Sequence, residues 1–382
     1  MAARPRVAIA HDYFTQRGGA ERVALAMLRA FPDATLYTTV YNPETTFPEL
    51  RDARVMTLPL NNLAALQRDH RFGLPLYQGA IDRAPVIDAD VLLVSTTGFA
   101  HGFRTTGRKL VYCHSPARFL YLAEDYLGGA PAKSPVGWLL SALRPKLVHW
   151  DQRAARSADR YLANSTVVRQ RISDVYGIDA TVVPAPPAVN SAVAPHPIAA
   201  LADWDEGFYL VVSRLLPYKN VDKVIAAFRE LPMERLAIVG RGPLSEELRR
   251  DLPVNVRMLE GLTDGELAWA YGQAAALIAP SFEDYGLTPL EAAALGTPTL
   301  ALRAGGYLDT VVAGVTGAFF DAPTAGAIGD AVRGNTGRAW DASQIRAHAT
   351  AFDESHFAAA LRRHVAELVP HSWASTEDGR PR

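Results

Sequence analysis

SFEDYGLTPLEAAALGTP, residues 281–298, is the stretch whose reading decides the fold. It begins where the apolar run Ala276–Ser281 ends and passes into helical composition. Thr288 suits an N-cap, Pro289 the first helical position, and Glu291 the third residue of a capping box. Gly296 is a helix terminator. The segment therefore reads as the loop leaving a strand at its carboxyl end and entering a helix. Ligands sit there in open α/β sheets, and a helix N-terminus offers unpaired N–H groups to an anion. Glu283 lies before the helix start and can face a polyhydroxyl ligand. A purely structural reading is also open, with Glu291 a cap and Glu283 an exposed loop acid.

Working outward, the same strand–loop–helix pattern recurs on both sides. Val7–Ala10, Val91–Ser95, Leu110–Cys113 and Tyr161–Asn164 read as strands of one series. Phe208–Ser213, Leu236–Gly240, Val256–Leu259, Ala276–Ser281 and Thr299–Leu302 form a second. Between the series lies VVPAPPAVNSAVAPHP, residues 182–197, where Pro184, Pro186 and Pro187 forbid helix and favour an extended linker. Strands alternating with helices predict parallel sheets. The expected organisation is a first Rossmann-like domain over 1–187, a second over 188–368 that includes the helix Glu354–Leu368, and a disordered tail over 369–382.

The 382 residues suit two domains, and 49% hydrophobic against 21% charged residues is a globular balance. A formal net charge of −1 gives no global attraction to nucleic acid, so no nucleic-acid partner is expected. The single cysteine, Cys113, allows no intrachain disulfide and fits a reducing compartment. The N-terminus lacks the apolar core of a signal peptide, and no run approaches the roughly 18 apolar residues of a transmembrane helix. A cytoplasmic protein is the expectation.

Four further groupings carry chemistry. In VVSRLLPYKNVDKVIAAF (211–228), Arg214 and Lys219 stand in a strand-to-helix loop, where two cations suit a diphosphate; solvated loop cations are the plain alternative. Lys223 reads as a surface helix residue. In IVGRGP (238–243), Gly240 and Gly242 are an unspecific turn signal. Adjacent Gly18 and Gly19 after the first strand permit close backbone approach to a ligand, or an ordinary β–α turn. In YCHSPARFLY (112–121), His114 ends a strand; Cys113 points to the opposite face, so the two form no nucleophile–base pair. Asp88 with Asp90, and Asp203 with Asp205, read as loop acids, and no residue cluster has metal-ligand spacing.

With those residues in view, EDYGLTPLEA with its paired glutamates resembles the signature of glycosyltransferase family 4, and the likeness spans nearly the whole chain. The resemblance implies an α/β GT-B fold, two Rossmann-like domains facing across a cleft. It implies a retaining, metal-independent transferase with no cofactor, whose nucleoside-diphosphate sugar is a co-substrate. Glu283 would then contact the donor sugar, and Glu291 the nucleotide ribose. Arg214 and Lys219 would bind the diphosphate, together with Gly18, Gly19, Gly240, Gly242 and the helix start at Gly286, Leu287 and Thr288. His114 would face the sugar. Tyr285 stands where the family more often has Phe.

HDYFTQRGGAER with CHSPARFLY resembles bacterial mannosyltransferases of polysaccharide assembly, which implies mannose from GDP-mannose and a glycan or lipid-linked glycan as acceptor. Residues 133–160 mix Trp138, Leu139, Leu140, Leu143, Leu147 and Trp150 with Lys133, Arg144, Lys146, Arg153 and Arg156; they can lie on an anionic membrane as a peripheral contact, or face the core. Other readings are another nucleotide sugar passed to a small natural product, a non-catalytic sugar-nucleotide binding protein, a sugar-nucleotide epimerase, a phosphorylase and a nicotinamide-dependent oxidoreductase. The last would need G-x-G-x-x-G after the first strand, which HDYFTQRGG does not supply.

Overall fold

The computed structural model describes residues 5–122, 135–187, 193–204 and 207–369, with the backbone alone for 135–140. The chain divides into two units, Met1–Pro186 with Glu354–Arg382, and Pro187–Asp353.

The first unit holds a seven-stranded sheet in the order β3-β2-β1-β4-β5-β6-β7. The strands are β1 (Val7–His11), β2 (Thr35–Thr38), β3 (Val55–Thr57), β4 (Val91–Thr96), β5 (Arg108–Cys113), β6 (Arg160–Ala163) and β7 (Thr181–Val182), all pairing in parallel. All six residues of β4 are buried, which is why VLLVST reads as a continuous apolar run rather than an alternating one.

The second unit holds a six-stranded parallel sheet in the order β10-β9-β8-β11-β12-β13. Its strands are β8 (Phe208–Val212), β9 (Leu236–Val239), β10 (Val256–Leu259), β11 (Ala274–Ala279), β12 (Thr299–Leu302) and β13 (Gly317–Phe320). Both sheets wind outward from a central strand and then return to its other side. The strand order thus reverses between β1 and β4 in one sheet and between β8 and β11 in the other. These are the two switch points where an open parallel sheet leaves a crevice at its carboxyl edge.

Two expectations change, and one reading left open is narrowed. The helix Glu354–Leu368 packs with the first unit and not the second. Its Phe357 ring meets Tyr112 edge-on at 5.4 Å, Glu354 pairs with Arg29 at 2.5 Å, and Arg362 donates to the Ala30 carbonyl at 3.0 Å. Periodicity identifies the apolar face of such a helix but not the surface that covers it. Val182, placed in the linker, ends the edge strand β7. In the basic-apolar segment, Leu147 and Trp150 are 1% and 3% exposed and belong to the first unit's core, with Leu143 packed against it. Trp150 Nε1 also donates to Asp82 at 2.8 Å. Those residues face inward because the core needs their area, at about 1.5–3 kcal/mol per large apolar side chain. Lys133, the side chains of Trp138, Leu139 and Leu140, part of the linker (188–192), Asp205 and the tail from 370 lie outside the described residues.

Candidate functional site

In the second unit the loop after β8 delivers Arg214 and then a short 3-10 turn, Pro217–Lys219. Asn220 follows with φ of 55°, a left-handed conformation that asparagine tolerates better than most residues. Its amide donates to the carbonyls of Tyr218 and Pro280 at 3.2 and 3.0 Å, tying this loop to the one after β11. That tie sets Lys219 beside Glu283: Lys219 Nζ donates to Glu283 Oε1, which also accepts from Ser281 Oγ at 2.7 Å. Arg214 is exposed and has no carboxylate partner among the described residues. One cation of the pair is thus engaged and the other free, both at the β8/β11 switch point.

The carboxylate loop rests on backbone. Gly305 has φ of 64°, and a Cβ there would lie 2.3 Å from the Glu283 carbonyl oxygen; a Cβ at Gly306 would lie 2.3 Å from Tyr285 Cα. Gly306 N donates to the Glu283 carbonyl at 2.8 Å. Gly286, with φ of 92°, is covered by the Tyr307 ring. Only glycine permits such approach at a positive φ. Gly305, Gly306, Ser281 and Tyr307 did not emerge from the sequence reading, although the adjacent pair at 305–306 is the same signal that singles out Gly18 and Gly19.

The helix start differs from expectation. Gly286 is the N-cap, without a side-chain bond, and the helix runs Leu287–Ala294, so Thr288 and Pro289 stand inside its first turn. Glu291 makes no capping box. It is 8% exposed, and Tyr271 Oη donates to its Oε2 at 2.6 Å. The left-handed Gly286 turns the chain into the helix two residues ahead of the expected cap at Thr288. Gly240 and Gly242 have a packing reason: a Cβ at either would meet main-chain carbonyls, Ser213 O at 1.8 Å and Leu215 O at 2.4 Å.

In the first unit, His11, Asp12, Ser95 and His114 gather where β1, β4 and β5 end. Asp12 is a loop clamp, accepting from the main-chain N of Thr97, Phe99 and Ala100 at 2.5, 2.8 and 2.6 Å. Ser95 Oγ lies 3.0 Å from His11 Nδ1 and 2.9 Å from His114 Nε2. Burial, with His11 nearby, holds the His114 pKa down to about 3, and burial lowers that of His11 too, so both rings are neutral near pH 7. Gly18 is the N-cap and Gly19 the first residue of the helix Gly19–Ala30. Glu21 is buried there, its Oε2 2.3 Å from where a Gly18 Cβ would stand, so a carboxylate of the chain already lies against that helix start.

Elsewhere, Lys223 pairs with Asp222 at 3.0 Å, Asp88 with Arg6 at 2.9 Å, and Asp203 with Arg257 at 2.5 Å. Among the described residues, no three His, Cys, Asp or Glu side chains are grouped to hold a metal ion, and no helix is long and apolar enough to cross a membrane.

Residues 17–192 match the model of Glycosyltransferase Family 4, and residues 199–334 that of Glycosyl transferases group 1. A GDP-mannose-dependent alpha-(1-6)-phosphatidylinositol monomannoside mannosyltransferase of Mycolicibacterium smegmatis is 33% identical over 222 residues, 52% of this chain and 57% of that protein. A D-inositol 3-phosphate glycosyltransferase of Kineococcus radiotolerans is 33% identical over 221 residues, 50% of each chain. The chain thus spans little more than half the length of these curated relatives. Among solved structures, sucrose-phosphate synthase from Thermosynechococcus elongatus aligns with a TM-score of 0.68 at 19% identity, covering 96% of this chain and all of that one. Anabaena Alr3699/HepE in complex with UDP and glucose aligns with 0.67 at 17%, covering 95% and 100%. At such identities the structural likeness speaks for the fold alone, α/β of the GT-B type, while the chain is similar to two glycosyltransferase family models, each over less than half of its length.

Proposed function

We propose that this protein is a retaining hexosyltransferase drawing on a nucleoside-diphosphate sugar, with GDP-mannose as donor and a glycan or lipid-linked glycan as acceptor. The observation that carries the reading is the placement of Arg214, Lys219 and Glu283 together at the switch point of the second sheet. Arg214 and Lys219 bind the donor diphosphate and offset the charge that grows on it as the glycosidic bond breaks. The amides of Leu287 and Thr288, in the first turn of their helix, add donors to the same anion. Glu283 accepts hydroxyls of the sugar, and Glu291 those of the nucleotide ribose. No side chain of the set is an evident nucleophile. The acceptor oxygen therefore attacks the face from which the diphosphate leaves, through an oxocarbenium-like state, and the leaving phosphate takes the acceptor proton. Mannose and a lipid-linked acceptor are favoured by the resemblance of the N-terminal segments and by the mycobacterial relative.

A thermal-shift panel of GDP, UDP, ADP and their sugars tests the donor, since a ligand at 100 times its dissociation constant adds about 2.7 kcal/mol of stability. GDP and GDP-mannose are expected to raise Tm above the others. Donor turnover with and without acceptor glycan then separates a transferase from a binding protein. Turnover is expected to persist in EDTA, because two side-chain cations do the work of a divalent ion. Loss of turnover in EDTA with recovery on adding magnesium or manganese refutes that part of the mechanism.

A further inference from the structure

The hydroxyl of Ser95 stands between two histidines, and its surroundings leave one arrangement of protons. His11 Nδ1 lies 3.1 Å from the main-chain carbonyl oxygen of Ser95 and 3.0 Å from its Oγ. A carbonyl oxygen only accepts, so the proton of that contact is on His11 Nδ1. Once protonated, that nitrogen has no lone pair to receive the Ser95 hydroxyl. Ser95 is fully buried, and its remaining neighbour is His114 Nε2 at 2.9 Å. A buried hydroxyl that can donate does so, so the Ser95 proton goes to His114 Nε2. A neutral imidazole carries one N–H, and for His114 it is then on Nδ1. That nitrogen has no acceptor among the described residues, and the His114 side chain is partly exposed at the carboxyl edge of the sheet.

We infer that Ser95 and His11 are positioning residues that hold His114 in its Nδ1–H tautomer, making it a hydrogen-bond donor toward an oxygen of a ligand bound at the carboxyl edge of the first sheet. This rests on the proposed function for the identity of the ligand, and on the contacts alone for the tautomer. It has a chemical consequence. With the lone pair of Nε2 already taken by Ser95 and a proton on Nδ1, His114 has no nitrogen free to act as general base. The acceptor proton must leave by another route, which agrees with a leaving phosphate that accepts it.

Long-range proton–nitrogen correlation spectra of the full chain labelled with 15N-histidine read the tautomer directly, with the His114 signals assigned by their loss in His114→Gln. The expected wild-type pattern near pH 7 has the proton on Nδ1 in both His11 and His114. Ser95→Ala should leave His11 unchanged, since the carbonyl of residue 95 remains, and shift His114 to a tautomer mixture. With GDP-mannose as donor, Ser95→Ala should lower kcat about three- to tenfold, the size of one neutral hydrogen bond, with KM little changed. Ser95→Cys, a weaker donor, should fall between. An Nε2–H pattern for His114 in the wild type overturns the inference, as does an unchanged His114 signal in a folded Ser95→Ala protein. If the tautomer is as expected but His114→Ala leaves kcat intact, the proton arrangement stands and the assignment of the ligand to this edge fails.

Discussion

Lys219 Nζ donates to Glu283 Oε1, and the two side chains are only 13% and 19% exposed. The two loops that carry them come from different strands, so the bond couples the end of β8 to the end of β11. Removing one partner of a largely buried pair leaves a charge without its complement. Lys219→Ala and Glu283→Gln are each expected to lower kcat by about ten- to hundredfold, the worth of a charge-assisted hydrogen bond. The double variant should fall short of the product, with a coupling of at least about 0.5 kcal/mol in a thermodynamic cycle. Strict additivity in both rate and Tm means the pair does not act as a unit.

Arg214 presents the contrast, being exposed and without a carboxylate partner among the described residues. Arg214→Ala should leave Tm nearly unchanged, within about 0.5 kcal/mol of stability. Transfer should nonetheless drop about ten- to hundredfold, with weaker nucleoside-diphosphate binding. Near-wild-type kinetics in this variant removes Arg214 from the diphosphate site.

The bond from Tyr271 to Glu291 gives a separable test of the second glutamate. Tyr271→Phe withdraws a donor from a buried carboxylate and should cost about 1–3 kcal/mol of stability. Glu291→Gln should mainly weaken nucleotide binding in calorimetric titration. If it lowers Tm while nucleotide affinity is untouched, Glu291 is structural only.

Two glycines with similar backbone angles should respond differently to alanine. At Gly177, φ is 69° and nothing lies within 4 Å of an added Cβ, so Gly177→Ala should cost about 1–2 kcal/mol, that of left-handed backbone. At Gly305, φ is 64° and the Glu283 carbonyl is in the way, so Gly305→Ala should cost more and also displace the carboxylate loop. Urea unfolding gives the stability order and donor turnover the second effect. Equal losses at the two positions, with full turnover in Gly305→Ala, would falsify the packing argument.

His70 supplies a pH dependence. Burial, outweighing the nearby Asp69, lowers its pKa to about 4 from 6.5; its Nδ1 meets Thr15 Oγ1 at 3.1 Å and its ring stacks on Tyr13 at 3.6 Å. Between those values the unfolded chain binds the proton and the folded chain does not. Stability should therefore be complete above about pH 6.5 and decline as pH falls toward 4, by up to about 1.4 kcal/mol per pH unit. In His70→Gln the slope of stability against pH over that window should be shallower; an identical slope shows that other groups carry it.

The sequence by itself determined the class of fold and most of the strands that build it. Apolar runs such as VLLVS in β4 and LAIV in β9 are buried on both faces of parallel sheets, so their composition is local and readable. It also brought Arg214, Lys219 and Glu283 into consideration, since cations and acids in strand-to-helix loops are visible as residue types. Short edge strands such as β3 and β7 escaped, because two or three residues with half-exposed surroundings leave no period to read. What only the tertiary structure decided is partnership. Lys219 and Glu283 lie 64 positions apart, and Ser95 on β4 and His114, just past the end of β5, lie 19 apart. The final helix returns to the first unit across more than 300 positions of chain, to meet Arg29. Hydrogen bonds and buried area depend on distance in space, and a one-dimensional pattern carries the chemistry of each partner without saying which will meet.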